Sequence, residues 1–508
     1  MLGLAETSLL DRWKAAPRLS LASSALWADN QALAELRHRR QLAHWQAMAI
    51  SLCQADSDIR PLLAHAPSVN ALATTGRKLV TLAETQAARA HTEAASISYR
   101  ASLFLGTAGL LIEAERARAA AFGCIRQAVE AGVAATRAFT SSRTWQASAV
   151  TVTAPARFDL GGGWSDTPPF CLDWGGTVLN FAVALHGRYP IRTTVRRIAD
   201  PVIRCVAGEE GISAEFATTE EVFAPAAPGS PFSIPRLALQ MLRVVTPDTE
   251  LAATLRARGG GLEITTAVDL PMGSGLGTSS LLAATMLQAL AHLCGITMNE
   301  ADLSDQVMRL EQLMTTGGGW QDQAGGIFPG AKLVSSSPGL RQRLRVHPVH
   351  WSPEHREEFC SRMVLYYTGI RRIAKGLLDQ VVSAYLARDT ATVQVLHSIK
   401  TLAVEMSHAL QEGEWDRLGA LIDRHWQLNL LMDPHMTNAP INALLQDIRP
   451  FLAGAKPAGA GGGGFLLLLA TSSHAARQLE ERLAARSGNG AVFPWQLTDE
   501  GLHLEIEE

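Results

Sequence analysis

A glycine-rich loop followed by hydroxyl side chains is the part of this sequence best suited to hold a phosphate group. It lies between a β-branched alternating run at 262–268 and an apolar run at 281–293, which predict a strand and a buried helix. The loop is therefore expected to end at a helix N-terminus, where free N–H groups and the helix dipole favour an anion. A glycine turn with a hydroxyl helix cap is the alternative. The loop residues are Gly273, Ser274, Gly275, Leu276, Gly277, Thr278, Ser279 and Ser280.

The order of residues in this loop excludes two common phosphate-binding motifs. No lysine follows the last glycine, so the loop is not a Walker A loop. Its glycines alternate with single residues, which is not the spacing of the dinucleotide-binding fingerprint. The ligand of the loop must therefore be inferred from residues elsewhere in the chain.

Charged residues in two further glycine-rich segments could act on such a ligand. The segment 151–169 runs from a strand-like stretch into a glycine turn and carries Arg157 and Asp166. Asp322 lies in a second run of glycines, and a solvated turn aspartate is the alternative interpretation for it. Glycine turns let the backbone approach a substrate closely, so these charges are candidate site residues.

The elements that must position these residues begin after a long helical region. Residues 1–148 lack strand signals, and their helical periodicity is clearest at 33–52 and 77–103. Residues 107–117 and 119–131 predict one helical hairpin of tetratricopeptide type, with a packing or linking role. The pattern breaks at 143–148, where a domain boundary is expected before a strand at 149–154.

The remainder of the chain predicts alternating strands and helices. Its strand–helix–strand ending indicates an α+β layer. The predicted strands are 178–185, 192–197, 363–367 and 465–469, and the predicted helices are 236–244, 303–314, 374–387 and 475–486, with further helices within 392–431.

Composition and charge exclude several classes of function. The 508 residues are 47% hydrophobic and carry a formal net charge of −3, which offers no basic face for nucleic acid or anionic lipid. The longest apolar run, Phe465–Ala470, is far shorter than the ~20 residues of a membrane span. No secretory pattern opens the chain, and its six cysteines form no C-x-x-C pair. A cytoplasmic protein with a small-molecule ligand is expected.

Four motifs together resemble, in order and spacing, those of the GHMP small-molecule kinases. They are Pro155-Ala156-Arg157 with its glycine turn, Pro271 to Ser280, Gly319-Trp320-Gln321-Asp322-Gln323, and the glycine loop 459–464. The similarity runs from about Val150 to the C-terminus. Within the superfamily, Gly161 to Pro169 followed by Gly175 to Asn180 is most similar to L-fucose kinases, including the kinase half of fused fucokinase/GDP-fucose pyrophosphorylases.

The resemblance implies the α+β fold and domain organisation of GHMP kinases. A ribosomal S5-like N-terminal kinase domain would occupy 149–350 and a ferredoxin-like C-terminal domain 351–508, with ATP between them. Residues 1–148 are similar to the helical connector that precedes the kinase in the fusions. The pyrophosphorylase half has no counterpart, so a stand-alone kinase or a piece of a fusion is expected.

The resemblance also implies individual roles. Asp322 would accept or orient the proton of the attacking sugar hydroxyl, with Arg157 beside it. The loop 273–280 would wrap the ATP phosphates, and Ser279 with Glu311 would bind Mg²⁺, a hard ion that takes oxygen ligands. The implied substrate contacts are Asp166, Trp164, Gly163, Gly318, Gly319, Gly461 and Gly462. Residues 367–371 and 431–435 are similar to fucokinase segments without an assigned role, and His435 is not expected to bind metal.

The glycine turn differs from the galactokinase pattern, and the difference bears on which sugar is bound. The Gly-Glu-His-x-Asp turn of galactokinases reads Gly162-Gly163-Trp164-Ser165-Asp166 here. Loss of a carboxylate suits a sugar without a 6-hydroxyl, because an unpartnered buried acceptor costs about 1–3 kcal/mol. The implied reaction is therefore MgATP-dependent phosphorylation of the anomeric hydroxyl of L-fucose to L-fucose 1-phosphate, toward GDP-fucose. A packing role for Trp164 is the alternative.

Three other functions stay open at this point. A kinase of this superfamily could act on a heptose phosphate or galactose, and a GHMP fold could serve as a non-catalytic ligand sensor. The helical N-terminal region could instead be a docking scaffold for a partner. The expected partners of the kinase are ATP, L-fucose and a guanylyltransferase, either separate or as a lost fusion half.

Overall fold

A computed structural model describes most of the chain. The described residues are 30–508 apart from 56, 89, 135–138, 140, 209–210, 226–229, 272, 315–316 and 371–374. The first 29 residues of the predicted helical region lie outside them, as do residue 371 of the segment 367–371 and residue 374 of the predicted helix 374–387. None of the described helices is long and apolar enough to cross a membrane.

Before the first strand, the regular elements of the described residues are all helices. Arg100, which is 2% exposed, donates hydrogen bonds to the carbonyls of Leu52 and Cys53 at the end of α1 and to that of Leu386 in α14, so it ties this region to the rest of the molecule. The helices are α1 (Asn30–Gln54), α2 (Arg60–Ala64), α3 (Val69–Ala87), α4 (His91–Thr107) and α5 (Leu111–Ala134).

Two predictions for this region are corrected by the structure. The periodic run 77–103 is divided between α3 and α4, although residues 86–92 contain neither the glycine nor the proline that would signal a break. The predicted hairpin of 107–117 with 119–131 is also wrong, because 111–134 is the single helix α5. The helical hairpin turns instead at 108–110, where Gly109 has a φ of 80°.

The strands of the described residues form three sheets. In the first sheet the order is β15-β1-β4-β7-β5-β6, with β5 and β7 parallel. The second has the order β14-β3-β8-β9, with β2 also paired to β3, and the third has the order β11-β12-β10-β13. The strands are β1 (Ala149–Ala154), β2 (Ala156–Gly161), β3 (Thr177–Leu185), β4 (Ile191–Ile198), β5 (Ile203–Ala207), β6 (Ile212–Phe216), β7 (Gly261–Val268), β8 (Ala331–Ser336), β9 (Leu344–Pro348), β10 (Met363–Tyr367), β11 (Leu452–Pro457), β12 (Phe465–Ala470), β13 (Ala491–Val492), β14 (Trp495–Leu497) and β15 (His503–Glu507).

Helices cover these sheets and bury the apolar faces between the layers. The Ala, Leu and Met side chains of α10 pack on β1 and β4, as the apolar run at 281–293 predicts. The helices are α6 (Phe170–Trp174), α7 (Thr219–Phe223), α8 (Ser233–Met241), α9 (Leu251–Arg258), α10 (Thr278–Leu293), α11 (Glu300–Leu313), α12 (Gln321–Ile327), α13 (Pro353–Arg362), α14 (Lys375–Leu386), α15 (Thr390–Glu412), α16 (Trp415–Met432), α17 (Ala439–Ile448) and α18 (Ser473–Ala484), with 3₁₀ turns at Pro434–Met436 and Arg449–Phe451.

One hydrophobic cluster joins the second and third sheets with α15 and α16. Phe158, Phe181 and Phe465 are fully buried in it, and burying each such side chain contributes roughly 1.5–3 kcal/mol. This cluster lies beneath β2, the strand that carries Arg157. The site residues on β2 are therefore held by packed core rather than by a surface loop.

The last two strands return to sheets formed by earlier residues. Strand β14 pairs with β3 and β15 pairs with β1, both antiparallel. The division into 1–148, 149–350 and 351–508 stays a prediction. These pairings mean that the last strands share sheets with the segment 149–350.

Candidate active site

Arg157 and Asp322, which are 165 positions apart, meet in the folded chain. Arg157 lies on β2 and is 1% exposed, and its Nη2 donates a short hydrogen bond to Oδ1 of Asp322. Asp322 lies in the first turn of α12, where the positive end of the helix favours a carboxylate. The structure thus brings together the predicted cation and acid.

Two glycines hold the aliphatic part of Arg157 between the phosphate-type loop and α12. A Cβ on Gly277 would lie 2.9 Å from Cγ of Arg157, and a Cβ on Gly325 would lie 2.7 Å from Cβ of Arg157. The backbone N–H of Arg157 also donates to Leu276 O at 3.2 Å. Only glycine allows this close approach, so the loop, Arg157 and α12 form one packed unit.

The predicted phosphate loop ends at the N-terminus of α10. Gly277 is the N-cap residue, with a φ of 79°, and it has no side chain with which to cap the helix. Among the described residues, the first N–H groups of α10 therefore have no side-chain cap, which is the arrangement that favours a bound anion. The C-terminal glycine loop contacts this segment, since Phe465 N donates to Ser274 O at 3.1 Å.

Glu311 of α11 approaches the same helix end, but through a different serine from the one expected. The Ser280 hydroxyl donates a short hydrogen bond to Oε1 of Glu311, and Ser280 is 1% exposed. The Ser279 side chain, in contrast, is exposed. Adjacent helical residues point about 100° apart, so the two serines face different surroundings.

The surroundings of Glu311 suit a hard cation. Burial and the nearby Asp322 carboxylate raise the pKa of Glu311 to about 8, and Asp166 acts in the same direction. A bound divalent cation would favour the ionised carboxylate and so lower the pKa of Glu311. Within the described residues, no three His, Cys, Asp or Glu side chains could hold a metal by themselves. Mg²⁺ is commonly held by one or two carboxylates with waters and phosphate oxygens.

Asp166 lies fully buried behind the glycine turn. Its Oδ2 accepts a hydrogen bond of 3.0 Å from Gln321 N at the start of α12. Its Oδ1 has no hydrogen-bond partner among the described residues. Burial and the nearby Asp322 raise the pKa of Asp166 to about 7. The free oxygen is therefore an acceptor that a substrate hydroxyl could satisfy.

Three of the predicted glycines lie close to polar side chains of the site. A Cβ on Gly318 would lie 3.1 Å from Oε2 of Glu311, and one on Gly163 would lie 2.9 Å from Oε1 of Gln321. A Cβ on Gly319 would lie 2.0 Å from Oδ2 of Asp166. The backbone at these glycines therefore lies close to the side-chain oxygens of Glu311, Gln321 and Asp166.

The other residues predicted to contact the substrate pack against neighbouring parts of the chain. Trp164 is 6% exposed and belongs to the same hydrophobic cluster as Phe158, which favours its packing alternative. Gly462 N donates to Met436 O at 2.6 Å, and a Cβ on Gly461 would lie 2.4 Å from that same oxygen. The loop 459–464 thus packs on the 3₁₀ turn Pro434–Met436, which overlaps the segment 431–435. His435 contacts Asp433 through Nδ1 at 2.8 Å.

Sequence reasoning missed three buried residues beneath the site. His425 of α16 accepts a hydrogen bond of 3.1 Å at Nε2 from Gly162 N, in the glycine turn. Burial and Lys456 lower the pKa of His425 to about 3, so the ring is neutral and supports the turn as an acceptor. Lys456 and Asp159 form an ion pair at 2.6 Å. The one sequence signal was Asp159, which lies two positions after Arg157 and so on the same face of the strand.

Comparison with known proteins identifies the family to which this chain belongs. A model described as the GHMP kinases N terminal domain matches residues 239–330, which include the phosphate-type loop, Glu311 and Asp322. The L-fucokinase/L-fucose-1-P guanylyltransferase of Bacteroides fragilis is 34% identical over 395 residues. The chain belongs to the GHMP kinase superfamily. The predicted membership is thereby confirmed.

The relatives of this GHMP kinase chain are longer than the part they share with it. The Bacteroides fragilis alignment covers 76% of this chain and 41% of that protein. A bifunctional fucokinase/GDP-fucose pyrophosphorylase of Arabidopsis thaliana is 36% identical over 356 residues, which is 70% of this chain and 33% of that protein. The chain therefore spans between a third and about two fifths of these two relatives.

Solved structures confirm the predicted α+β fold of the GHMP kinases. A D-glycero-D-manno-heptose 1-phosphate kinase from Bacteroides thetaiotaomicron superposes with a TM-score of 0.53 at 21% identity. The match covers 71% of this chain and 99% of that one. This likeness concerns the fold alone.

Proposed function

We propose that this chain is a sugar kinase that transfers the γ-phosphoryl group of ATP to the anomeric hydroxyl of L-fucose, giving L-fucose 1-phosphate. The observation that carries the proposal is the contact of Arg157 with Asp322 at the end of a phosphate-type loop. That arrangement occurs in a chain whose relatives are named as fucokinases. Phosphoryl transfer depends mainly on positioning and charge stabilisation, which this site offers.

Asp322 is the proposed acceptor of the sugar hydroxyl proton. Its Oδ1 is engaged by Arg157, which leaves Oδ2 to receive the proton as the hydroxyl oxygen attacks the γ-phosphorus and the bond to ADP breaks. The Asp322 side chain is 32% exposed, so a substrate can reach it. Arg157 holds the Asp322 carboxylate by hydrogen bonding and stabilises charge that develops on the transferred group.

The phosphate loop and Glu311 are the proposed binding groups for MgATP. The loop 273–280 would hold the phosphates through its backbone N–H groups and the uncapped start of α10. Ser279 and Glu311 are the proposed metal ligands, and Ser280 orients the Glu311 carboxylate by hydrogen bonding. Bound Mg²⁺ would neutralise phosphate charge during transfer.

The sugar is proposed to bind between the turn 161–166 and the segment 318–322. Asp166 offers its unpartnered Oδ1 to a sugar hydroxyl, and the backbone at Gly163, Gly318 and Gly319 encloses the ring. The loop at Gly461 and Gly462 would close over the phosphate and sugar. Trp164 would affect the sugar indirectly, through the packing of the turn that carries Asp166.

The proposed product indicates which class of enzyme would act on it next. A sugar 1-phosphate is the substrate of nucleotidyl transfer, and the relatives are named for both activities. We propose that a guanylyltransferase uses the product in the cytoplasm. Residues 1–148 would serve as the helical connector or accessory region, and Arg100 fixes their described part to α14.

Product identification tests the proposed function. ATP turnover would be measured with L-fucose, galactose and a heptose phosphate at matched concentrations, and the phosphorylated carbon assigned by phosphorus–carbon coupling in NMR. We expect L-fucose to be turned over fastest and to carry phosphorus on C1. Faster turnover of another sugar, or phosphorus on another carbon, would overturn the substrate assignment. ATP binding without turnover of any sugar would favour the ligand-sensor alternative.

A further inference from the structure

Lys456 and Asp159 form a buried ion pair between two sheets. Lys456 lies on β11 of the third sheet and Asp159 on β2 of the second, 297 positions away. Nζ of Lys456 lies 2.6 Å from Oδ2 and 2.9 Å from the backbone oxygen of Asp159. Each residue is 1% exposed. A pair this deeply buried must satisfy its hydrogen bonds internally, and removing one partner changes the environment of the other.

The second oxygen of the same carboxylate contacts Arg157. Nη1 of Arg157 lies 3.0 Å from Oδ1 of Asp159, while Nη2 contacts Asp322. Lys456 and Arg157 together hold the pKa of Asp159 below its ordinary value, although burial acts in the opposite direction. A continuous series of charged contacts thus runs from Lys456 through Asp159 and Arg157 to Asp322.

Only the guanidinium end of Arg157 depends on these contacts. Its aliphatic part packs closely against Gly277 and Gly325. The orientation of the planar head is set by the carboxylates at its two Nη atoms, Asp159 and Asp322. Asp159 is 1% exposed and anchored, whereas the Asp322 side chain is 32% exposed. The anchored carboxylate therefore determines where the guanidinium points.

The strand of Lys456 also leads into the C-terminal glycine loop. Ala458, two positions later, donates its N–H to Phe465 O at 2.8 Å and closes the base of the loop. Lys456 thereby links the position of this loop to the orientation of Arg157. An ion pair placed only for stability would not need its carboxylate to bond the candidate catalytic arginine as well.

We propose that Lys456 is a positioning residue for phosphoryl transfer: it anchors Asp159, which orients Arg157 against Asp322. This inference rests on the proposed function, because its consequence is a change in turnover. Lys456 does not touch the reacting atoms. Its loss lets the guanidinium rotate away from Asp322, and the carboxylate that receives the proton is then no longer fixed.

The test combines kinetics with crystal structures of the full chain. In Lys456→Met we expect kcat to fall about 10- to 100-fold, since a misplacement of ~1 Å costs on the order of 10²-fold. The KM values for ATP and sugar should stay within about threefold, because neither ligand touches Lys456. The crystal structure of the variant should show the guanidinium of Arg157 displaced from Asp322, whereas the parent structure keeps the contact.

A matched control separates positioning from a general loss of stability. Arg236 is also a buried cation, and it donates to the carbonyls of Val222 and Ala224, away from the site. Arg236→Met is expected to lower the melting temperature without changing kcat. Should Lys456→Met not fold, the double variant Lys456→Met/Asp159→Asn removes both charges of the pair, and we expect the same kinetic and structural changes in it.

The outcomes distinguish this inference from the proposed function. A displaced Arg157 together with a lower kcat supports the positioning role. An unmoved Arg157, or a kcat within about twofold of the parent, overturns it, even if the melting temperature falls. A parent protein that phosphorylates none of the sugars tested contradicts the proposed function, and the position of Arg157 in the two crystal structures then decides the inference by itself.

Discussion

Ser280 donates its hydroxyl hydrogen to Glu311, and this contact joins the first turn of α10 to the end of α11. Both residues are buried, at 1% and 7% exposure, while the neighbouring Ser279 is open to solvent. The two serines therefore have separable roles. Ser280 orients a buried carboxylate, and Ser279 is the serine that we propose as a metal ligand.

Alanine substitutions of the two serines should change different properties. Ser280→Ala removes a hydrogen bond to a buried acceptor, so we expect the free energy of unfolding to fall by about 1–3 kcal/mol. Ser279→Ala should leave stability unchanged and raise the Mg²⁺ concentration needed for half-maximal turnover. Urea unfolding and Mg²⁺ titration of the kinase reaction measure the two effects.

Affinity for L-fucose without nucleotide is the control for both serine variants. Neither serine is proposed to contact the sugar, so calorimetry should give the parent affinity. If Ser279→Ala keeps the parental Mg²⁺ dependence while Ser280→Ala loses it, the metal ligand is Ser280 and the assignment of Ser279 is wrong.

The stability of the metal-free protein should depend on the protonation of Glu311. Burial raises its pKa from an ordinary value of 4.5 to about 8, so between these pH values the folded state holds a proton that the unfolded state has lost. Stability should therefore fall as pH rises from about 4.5 to 8. Glu311→Gln cannot ionise and should show a weaker fall, measured by urea unfolding at pH 5 and pH 8.

Added Mg²⁺ provides the opposite check on Glu311. The ion favours the ionised carboxylate, so it should stabilise the parent more at pH 8 than at pH 5 and have little effect on Glu311→Gln. Parallel pH profiles for parent and variant without metal would show that Glu311 ionises normally and would contradict its raised pKa.

Much of the fold could be predicted because apolar periodicity reports burial directly. The predicted strands at 149–154 and 363–367 have the same bounds as β1 and β10, and the predicted helix at 281–293 lies within α10. The strands β5 and β6 were missed, since they form a hairpin with a partly exposed face and little alternation. Local sequence carries little signal for such elements.

The site was predictable only where the residues lie in motifs. Arg157 and Asp322 each belong to a recognisable segment, and the structure brings them together. Lys456 and His425 contact β2 and its glycine turn across 297 and 263 positions, which no local pattern indicates. The choice between Ser279 and Ser280 depends on the rotation of one helix about its axis, which the motif alone does not fix.

Replacing Trp164 should affect stability far more than sugar preference. The indole is 6% exposed in the core beside the second sheet, so Trp164→Ala should cost about 3–5 kcal/mol of unfolding free energy. Trp164→Phe retains an aromatic ring and should keep most of the unfolding free energy that Trp164→Ala loses. For Trp164→Phe, the ratio of kcat/KM for L-fucose to that for galactose should stay within about threefold of the parent. A large shift toward galactose would instead identify the indole as a direct sugar contact.

Asp322 offers the sharpest test of the catalytic assignment. Asn has nearly the same shape and can still accept from Arg157, so Asp322→Asn should fold normally and bind ATP and L-fucose nearly as well as the parent. It cannot take the hydroxyl proton, and general base catalysis is typically worth ~10²- to 10⁴-fold. We therefore expect kcat to fall by about that factor at an unchanged melting temperature, in steady-state assays with saturating substrates. Turnover within about threefold of the parent would make Asp322 a turn residue that starts α12, and the proposed proton transfer would then lack its acceptor.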